Sequence, residues 1–257
     1  MSKSILILGG TGFLGKKLTI LLKKNNYQVV STGSELDILN KNLLVKNLSE
    51  KHFDYLINAT GQKTNPIKNC QLQNTKGIQN LISLQKQFNF HLIHISSLLT
   101  LKPESDYAKL KLKAESIIKA NLSSKKFLII RLSNLYGPNQ KKGLISYLIN
   151  QINNRQYSFS FSDNDGSLTR YFLHINDASN NIVKMINSQL VGIHNLSGPE
   201  KYSLKQLITA LDKIVAHKIS ATYSLKKPLD NIDTEFEASG LTYEHNLKDY
   251  LTKSIKA

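Results

Sequence analysis

The sequence is poor in the residues that mark several common classes of protein. Its 257 residues include a single cysteine, Cys70, which excludes an internal disulfide and gives no cysteine framework for a metal. No segment approaches the roughly 20 consecutive apolar residues that a membrane-spanning helix needs. The apolar run after Met1 is too short for the core of a signal peptide and leads directly into glycines. These absences predict a cytoplasmic globular protein with no membrane association and no metal site.

Arginine is also scarce, although the chain is strongly basic. The formal net charge is +16, yet only three of the 34 basic residues are arginine. Arginine supplies many of the bidentate contacts in nucleic-acid sites, and the lysines here are scattered without interleaved aromatic residues. We therefore expect a solvated lysine-rich surface, not a nucleic-acid interface. A diffuse positive field also favours the approach of a small anionic substrate such as a nucleotide.

Short apolar runs alternate with amphipathic segments through the first half of the chain. Residues 4–8 are typical of a strand buried on both faces of a parallel sheet, and leucines then recur at helical spacing. Further strands are predicted at 27–31, 55–58, 91–95 and 127–131, with helices at 77–88 and 107–121. This alternation predicts an α/β protein with a doubly wound parallel sheet.

The alternation weakens after Pro138, which suggests a second structural unit. We expect residues 1–137 to form the parallel-sheet domain, to which residues 171–197 return. Residues 138–170 are polar and rich in turn-forming residues. Together with residues 198–257, they are expected to form a small C-terminal α/β lobe that binds the substrate.

A glycine-rich loop follows the first strand and opens the first helix. Gly9, Gly12 and Gly15 form a G-x-x-G-x-x-G pattern. Phe13 and Leu14 lie between the last two glycines. Glycine here permits a tight turn and the close approach of a pyrophosphate, which the helix N-terminus attracts through its free N–H groups and dipole. In this position the pattern predicts a Rossmann-type site for a nicotinamide dinucleotide.

The end of the second strand bears on the choice between NAD(H) and NADP(H). NAD-specific sites usually place a carboxylate there, on the ribose 2′-hydroxyl. In this chain the hydroxyls of Thr32 and Ser34 could bind a 2′-phosphate, and no carboxylate stands at the strand end to repel it. We therefore expect NADP(H) to be favoured over NAD(H), with Asp37 nearer the adenine than the ribose.

A tyrosine and a lysine four residues apart supply the candidate acid–base chemistry. With 11 tyrosines in a lysine-rich chain, about one such pair is expected by chance, and the chain has two. Tyr223 and Lys227 lie just before Pro228 in the terminal segment, and we interpret them as the accidental pair. Tyr107 opens a predicted helix, and Lys111 lies one turn later on the same face.

Two serines end the strand that precedes this helix, at the carboxyl edge where α/β sheets bind ligands. A phenol with a pKa near 10 is a slow acid–base catalyst at neutral pH unless a neighbouring positive charge favours the phenolate. A serine hydroxyl can bind the substrate oxygen on which charge develops, while the tyrosine exchanges a proton with it. We therefore expect Ser97, Tyr107 and Lys111 to be catalytic.

The chain resembles the extended short-chain dehydrogenase/reductase family, which includes nucleotide-sugar epimerases, dehydratases and 4-keto reductases. The resemblance covers nearly the full length. It rests on ILGGTGFLG at 7–15, INATG at 57–61, ISS at 95–97, YAKLK at 107–111, RLSNLYGP at 131–138, RYFLHINDAS at 170–179 and GIHNLSGP at 192–199. It implies a triad of Ser97, Tyr107 and Lys111, with Lys111 also holding the nicotinamide ribose. Ser96 stays open as an alternative to Ser97.

The same resemblance implies further ligand contacts. Ala59, Thr60 and Gly61 would line the cofactor together with the glycine loop. Asn134 is a candidate substrate contact, and Arg170 matches an arginine that often binds the substrate's diphosphate. Because family members often dimerise through helices that flank the sheet, a homodimer is also implied.

Two segments are short for this family: the interval from Ser97 to Tyr107 and residues 138–170. We therefore expect a smaller substrate lobe than is usual in the family. The run from Thr32 to Asp37 resembles the 4-keto-reductase branch, which acts in deoxysugar and surface-polysaccharide biosynthesis. We therefore expect a reductase of a 4-keto nucleotide sugar. A C4 epimerase that retains NAD+ is the alternative. A non-catalytic dinucleotide-binding or RNA-binding relative is a third hypothesis. Dehydration is disfavoured because leucines follow Ser97, where dehydratases usually carry an acidic residue.

Overall fold

A computed structural model describes residues 2–61, 67–163, 165–224 and 241–255. The strands are β1 (Ser4–Leu8), β2 (Gln28–Thr32), β3 (Tyr55–Asn58), β4 (His91–Ser97), β5 (Phe127–Leu132), β6 (Asn134–Tyr136), β7 (Ser158–Phe161), β8 (Thr169–His174), β9 (Gly192–Leu196), β10 (Glu200–Ser203) and β11 (Ser220–Tyr223). The helices are α1 (Phe13–Lys24), α2 (Lys41–Glu50), α3 (Ile67–Leu72), α4 (Ile78–Phe88), α5 (Asp106–Asn121), α6 (Leu144–Asn153), α7 (Ile175–Asn187), α8 (Leu204–Asp212) and α9 (Leu247–Ser254). None of the helices in these ranges is long and apolar enough to cross a membrane.

Six parallel strands form the central sheet in the order β2-β1-β3-β4-β5-β9. The strand order changes direction between β1 and β3, and a parallel sheet binds ligands at the carboxyl ends of the strands beside such a switch point. The predicted doubly wound parallel α/β fold is therefore confirmed. The loops that follow β1, β3 and β4 are brought to one edge of the sheet.

Strand side chains alternate between two hydrophobic layers, one on each face of the sheet. Ile5 and Ile7 face a layer built with α1 and α7. Leu6 and Leu8 face a layer built with α2, α4 and α5. Because successive side chains of a strand point to opposite faces, the apolar run in β1 can fill both layers, which is why it shows no polar alternation.

A third hydrophobic cluster lies among α6, α8, α9 and two small sheets, of order β10-β8-β6 and β11-β7. Of the segment expected to return to the large sheet, β9 does join it beside β5, and α7 packs on α1. Strand β8 does not, because it pairs with β6 and β10 instead. Its Phe172 faces the third cluster while Leu173 faces the α1/α7 layer, so β8 bridges two cores. The domain boundaries themselves stay a prediction.

The last described segment is tied to α7 by polar contacts. The Asn181 side chain pairs with the backbone of Thr242, donating to its carbonyl at 2.9 Å and accepting from its N–H at 3.2 Å. The His245 ring lies 2.8 Å from Asp177 and stacks on His174 with ring centroids 3.9 Å apart. Three side chains that could ligate a metal thus come together. The absence of a metal site stays a prediction.

Candidate active site

A cavity of about 860 Å³ opens at the carboxyl edge of the large sheet. Pockets for small molecules and cofactors usually fall in the range of roughly 300–1,000 Å³. Expected site residues that line it are Phe13, Leu14, Ala59, Thr60, Gly61, Ser97, Tyr107, Lys111, Asn134 and Arg170. The structure therefore brings the three predicted catalytic residues, the predicted substrate contacts and five further cofactor contacts to one cavity. The remaining predicted cofactor residues, Gly9, Gly12, Gly15, Thr32, Ser34 and Asp37, are not among its lining residues.

The glycine loop fits a bound pyrophosphate. Gly9 has a φ of 79°, and a Cβ on it would lie 2.8 Å from the Ala59 backbone. A Cβ on Gly15 would overlap the Gly9 carbonyl oxygen. Gly12 begins α1 without a side chain to cap the helix, so the first-turn N–H groups can bind phosphate oxygens. These observations fit a dinucleotide held by Gly9, Gly12 and Gly15.

Asn58 shapes the turn that carries Ala59, Thr60 and Gly61. Its carbonyl oxygen accepts from the Thr60 N–H at 3.1 Å and from the Thr60 hydroxyl at 2.6 Å. Its amide lies 3.1 Å from Nδ1 of the buried His94 on β4. A Cβ on Gly61 would lie only 3.3 Å from Nζ of Lys111. The backbone of this turn therefore lies next to the Lys111 side chain at Gly61.

Lys111 is buried at the centre of this cavity, with 3% of the residue exposed. Its Nζ donates to the carbonyl oxygen of Ile95 at 3.1 Å. Burial lowers the pKa of Lys111 to about 8, because a low-dielectric surrounding disfavours the charged form. The resemblance assigns this ammonium to the nicotinamide ribose, and that role stays a prediction.

Tyr107 lies in the first turn of α5, one turn before Lys111. Ser105 begins the helix by accepting from the Ala108 N–H at 3.2 Å. Burial, with a smaller contribution from the charge of Cys70, raises the pKa of Tyr107 to about 12. In this state the phenol carries its proton at neutral pH, so Tyr107 can act as a proton donor.

The two serines at the end of β4 point to different surroundings. Ser97 lines the cavity, and its hydroxyl oxygen accepts from the Leu99 N–H at 3.3 Å, which leaves its hydrogen for a ligand. Ser96 is buried and donates to Glu115 at 2.5 Å. Adjacent strand residues face opposite sides of a sheet. Ser96 also lines part of the cavity, but its hydroxyl is engaged by Glu115. The geometry therefore favours Ser97 over Ser96 as the ligand contact, and the choice stays a prediction.

Sequence reasoning missed Glu115, which lies one turn after Lys111. The Arg131 guanidinium donates to both carboxylate oxygens of Glu115, with Nη2 to Oε2 at 2.6 Å and Nε to Oε1 at 3.0 Å. Glu115 is 1% exposed. The ion pair between Glu115 and Arg131 fixes α5 to β5. The hydrogen bond from Ser96 to Glu115 fixes α5 to β4. The sequence did contain a signal for this ion pair. Glu115 lies four positions after Lys111, on the same face of the predicted helix, and Arg131 is the first residue of the RLSNLYGP motif.

The turn after β2 holds a carboxylate, that of Glu35, to which the sequence analysis gave no role. Glu35 folds back so that Oε1 accepts from the Gly33 N–H at 2.6 Å, and that bond lowers its pKa. A Cβ on Gly33 would touch both Oε2 of Glu35 and the side chain of Thr11, each at 2.8 Å. The premise that no carboxylate stands at the end of β2 is therefore wrong.

The other residues expected to bind the adenosine part of the cofactor are Thr32, Ser34 and Asp37, and their contacts differ from the expectation. The Thr32 hydroxyl donates to the Ile7 carbonyl at 3.2 Å, so its hydrogen is used within the sheet. Ser34 and Asp37 are exposed, and Asp37 accepts from the Leu39 N–H at 3.0 Å. Neither the structure of the turn nor these contacts give Thr32 a free donor for a 2′-phosphate.

The part of the cavity lined by Asn134, Lys142 and Arg170 carries positive charge. The Asn134 amide donates to the Tyr171 carbonyl at 3.3 Å. Arg170 donates to the Leu168 carbonyl at 3.0 Å and lies 3.5 Å from Asp163. Lys142, which sequence reasoning missed, also lines the cavity and is exposed. Two cations therefore face the space in which an anionic substrate would lie.

The second tyrosine of the repeated pattern is placed differently. Tyr223 does not line the cavity, and its ring stacks on Phe161 with centroids 6.0 Å apart. A Cβ on Gly166 would lie 2.5 Å from this ring. Lys227 lies outside the described residues. Tyr223 thus has a packing role.

The two serines are expected to respond oppositely to alanine substitution. Ser96→Ala should lower the free energy of unfolding by about 1–2 kcal/mol, because it removes a buried hydrogen bond to a charged group. Ser97→Ala should change it by no more than about 0.5 kcal/mol, because the hydroxyl faces the cavity. Urea unfolding of both variants measures this. Equal losses would contradict the separation of their surroundings.

Several known proteins of similar sequence or structure are named for reactions of nucleotide sugars. A protein of Methanocaldococcus jannaschii that carries the provisional name of a UDP-glucose 4-epimerase is 24% identical over 264 residues, covering 85% of each chain. The dTDP-4-dehydrorhamnose reductase of Clostridium acetobutylicum has a TM-score of 0.74 at 21% identity, over 86% of this chain and 83% of that one. UDP-glucose 4-epimerase of Bifidobacterium longum, in complex with NAD+ and UDP, has a TM-score of 0.83 at 19% identity, over 98% and 97%.

These structural likenesses agree in fold with the six-stranded parallel sheet described above. At such low identity they bear on the fold alone. The family described as NAD-dependent epimerase/dehydratase matches residues 5–196, from β1 through β9. That range includes the glycine loop, Ser97, Tyr107 and Lys111. With three quarters of the sequence matched, the chain belongs to the NAD-dependent epimerase/dehydratase family.

Proposed function

We propose that this protein reduces the 4-keto group of a nucleotide-linked sugar with a nicotinamide cofactor. The observation that carries the proposal is the lining of one cavity by Ser97, Tyr107 and Lys111 beside the turn at 59–61. A hydroxyl, a phenol and an ammonium are the groups that a ketone needs when it takes up a proton at its oxygen. The named substrates of the similar proteins support a nucleotide sugar.

Each catalytic side chain has a defined task in this proposal. A nicotinamide cofactor, when bound, would supply the hydride that the carbonyl carbon takes up. Ser97 donates a hydrogen bond to the carbonyl oxygen and stabilises the negative charge that develops there. Tyr107, which holds its proton because its pKa is about 12, donates that proton to the same oxygen. The Lys111 ammonium then stabilises the phenolate left behind.

An epimerase is the second candidate, and the comparisons support it through two similar proteins named as UDP-glucose 4-epimerases. An epimerase keeps its cofactor through each cycle, whereas a reductase must exchange it. A non-catalytic or RNA-binding role is disfavoured because the cavity retains all three catalytic side chains.

We infer that the cofactor is NAD(H), which reverses the expectation from the strand-end residues. Glu35 places a carboxylate beside Thr11 at the end of β2. There it can accept a hydrogen bond from a ribose 2′-hydroxyl, and it would repel a 2′-phosphate. A cytoplasmic location and a homodimer are compatible with this function and stay predictions.

Removal of the Tyr107 hydroxyl tests the proposed chemistry. Purified protein should oxidise the reduced cofactor when given a dTDP-, GDP-, CDP- or UDP-4-keto-6-deoxyhexose. Tyr107→Phe should lower turnover by about 10²–10⁴-fold, because the proton donor is lost. Tyr223→Phe is the matched control and should retain activity. Turnover by wild type with none of the four substrates would overturn the reductase assignment, and interconversion of C4 epimers without net redox change would establish the epimerase.

The pH profile tests the role of Lys111. Since the ammonium is the active form and its pKa is about 8, kcat/KM should be constant below that pH and fall about tenfold per unit above it. The phenol of Tyr107 stays protonated through this range because its pKa is about 12. Initial rates between pH 6 and roughly pH 10 measure the profile. A rate that rises above pH 8 would show that a deprotonated group drives the reaction.

Substitution of Glu35 tests the cofactor assignment. Wild type should prefer NADH to NADPH in kcat/KM. Glu35→Ser should shift that ratio towards NADPH by about tenfold or more, because removing one nearby negative charge relieves repulsion of the 2′-phosphate. Asp37→Ser is the matched control and should shift the ratio less. An unchanged ratio in Glu35→Ser would place the ribose away from this carboxylate.

A further inference from the structure

The three arginines of the chain have different surroundings. Arg155 is exposed on the turn after α6. Arg131 makes a bidentate ion pair with Glu115, so its guanidinium is used within the fold. Arg170 lines the cavity, and its side chain is 21% exposed. Arg170 is thus the arginine that keeps donors for a ligand.

Asp163 lies behind Arg170, on the turn between β7 and β8. The residue is fully buried, with 0% exposed. Its Oδ1 accepts from the Gly166 N–H at 3.1 Å, which closes the turn. Its Oδ2 makes no hydrogen bond to any described residue. The nearest cation is Nη2 of Arg170, 3.5 Å away.

A buried carboxylate with one unpaired oxygen is costly unless a charge balances it. Among the described residues, Asp163 forms an ion pair with Arg170 alone, so the two charges depend on each other. The contact is loose compared with the 2.6 Å between Arg131 and Glu115. A guanidinium has five N–H donors. Arg170 contacts Asp163 and the Leu168 carbonyl, and these two contacts do not use all five donors.

We propose that Asp163 is a positioning residue that aims the Arg170 guanidinium at the diphosphate of the nucleotide sugar. This inference rests on the proposed function. The carboxylate fixes the guanidinium from behind, and the donors on the other side face the cavity. A pre-oriented guanidinium binds phosphate oxygens with less loss of side-chain entropy than a free one.

An isosteric substitution of Asp163 makes the inference testable. In Asp163→Asn, the side-chain oxygen can still accept from Gly166, but the amide N–H groups then oppose the donors of Arg170. The guanidinium should be displaced, although the net positive charge of the region increases. Charge alone would therefore strengthen the binding of a diphosphate, whereas loss of orientation would weaken it.

The experiment is calorimetric titration of UDP, dTDP, GDP and CDP, and of the corresponding monophosphates, into four proteins. These are wild type, Asp163→Asn, Arg170→Gln and the double variant. We expect Asp163→Asn to weaken diphosphate binding about tenfold and to leave monophosphate binding nearly unchanged. The double variant should bind diphosphate no more weakly than Arg170→Gln alone.

Two further variants separate orientation from charge and from folding. Asp165→Asn removes the same charge at an exposed position of the same turn, where Asp165 pairs with Lys205 at 3.5 Å, and should leave diphosphate affinity unchanged. Asp163→Ser retains an oxygen for Gly166, provides a second variant if Asp163→Asn does not fold, and should weaken diphosphate binding in the same way.

The outcomes distinguish this inference from the proposed function. Wild-type affinity in Asp163→Asn, tighter binding, or additive effects in the double variant would overturn the positioning role alone, provided that Arg170→Gln weakens binding. If Arg170→Gln binds as wild type, or no diphosphate binds wild type, the assignment of the substrate site fails and the positioning role fails with it.

Discussion

The buried ammonium of Lys111 is the interaction on which the candidate site depends. Its charge is removed from water and has the Ile95 carbonyl as its hydrogen-bond acceptor, so burial lowers its pKa to about 8. The electrostatic interaction of a buried charge with nearby groups is strong, because little solvent screens it. In the proposed reaction, this charge would stabilise the phenolate of Tyr107, one helical turn away, after the phenol gives up its proton.

The position of that ammonium depends in turn on how α5 is fixed to the sheet. Glu115 lies one turn beyond Lys111 and receives Arg131 from β5 and Ser96 from β4. These buried contacts set the rotation of α5, and the same rotation directs Lys111 towards Ile95 and Gly61. The structural and catalytic parts of the helix thus share one orientation. The serine pair at the end of β4 divides between them, Ser96 in the support and Ser97 in the cavity.

Much of this arrangement could be predicted from the sequence, since it depends on local patterns. Apolar runs and helical spacing identified the parallel sheet, and the glycine loop and Tyr107–Lys111 identified the cavity. The misses arise where a side chain or strand is placed by tertiary contacts. Glu35 lies three residues beyond β2 and reaches the strand end only because the turn folds back. Lys142, Asp163 and the pairing of β8 depend on the lobe, whose sequence has no regular period.

In the proposed reaction, Ser97, Tyr107 and Lys111 serve hydride and proton transfer at one carbonyl of a nucleotide sugar. The most direct measurement uses NADH that carries deuterium at the transferable position of C4 of the nicotinamide, with a 4-keto nucleotide sugar as substrate. Mass and NMR spectra of the product should show one deuterium, bonded to C4 of the hexose. Product without deuterium, or no product when the cofactor is bound, would contradict the account.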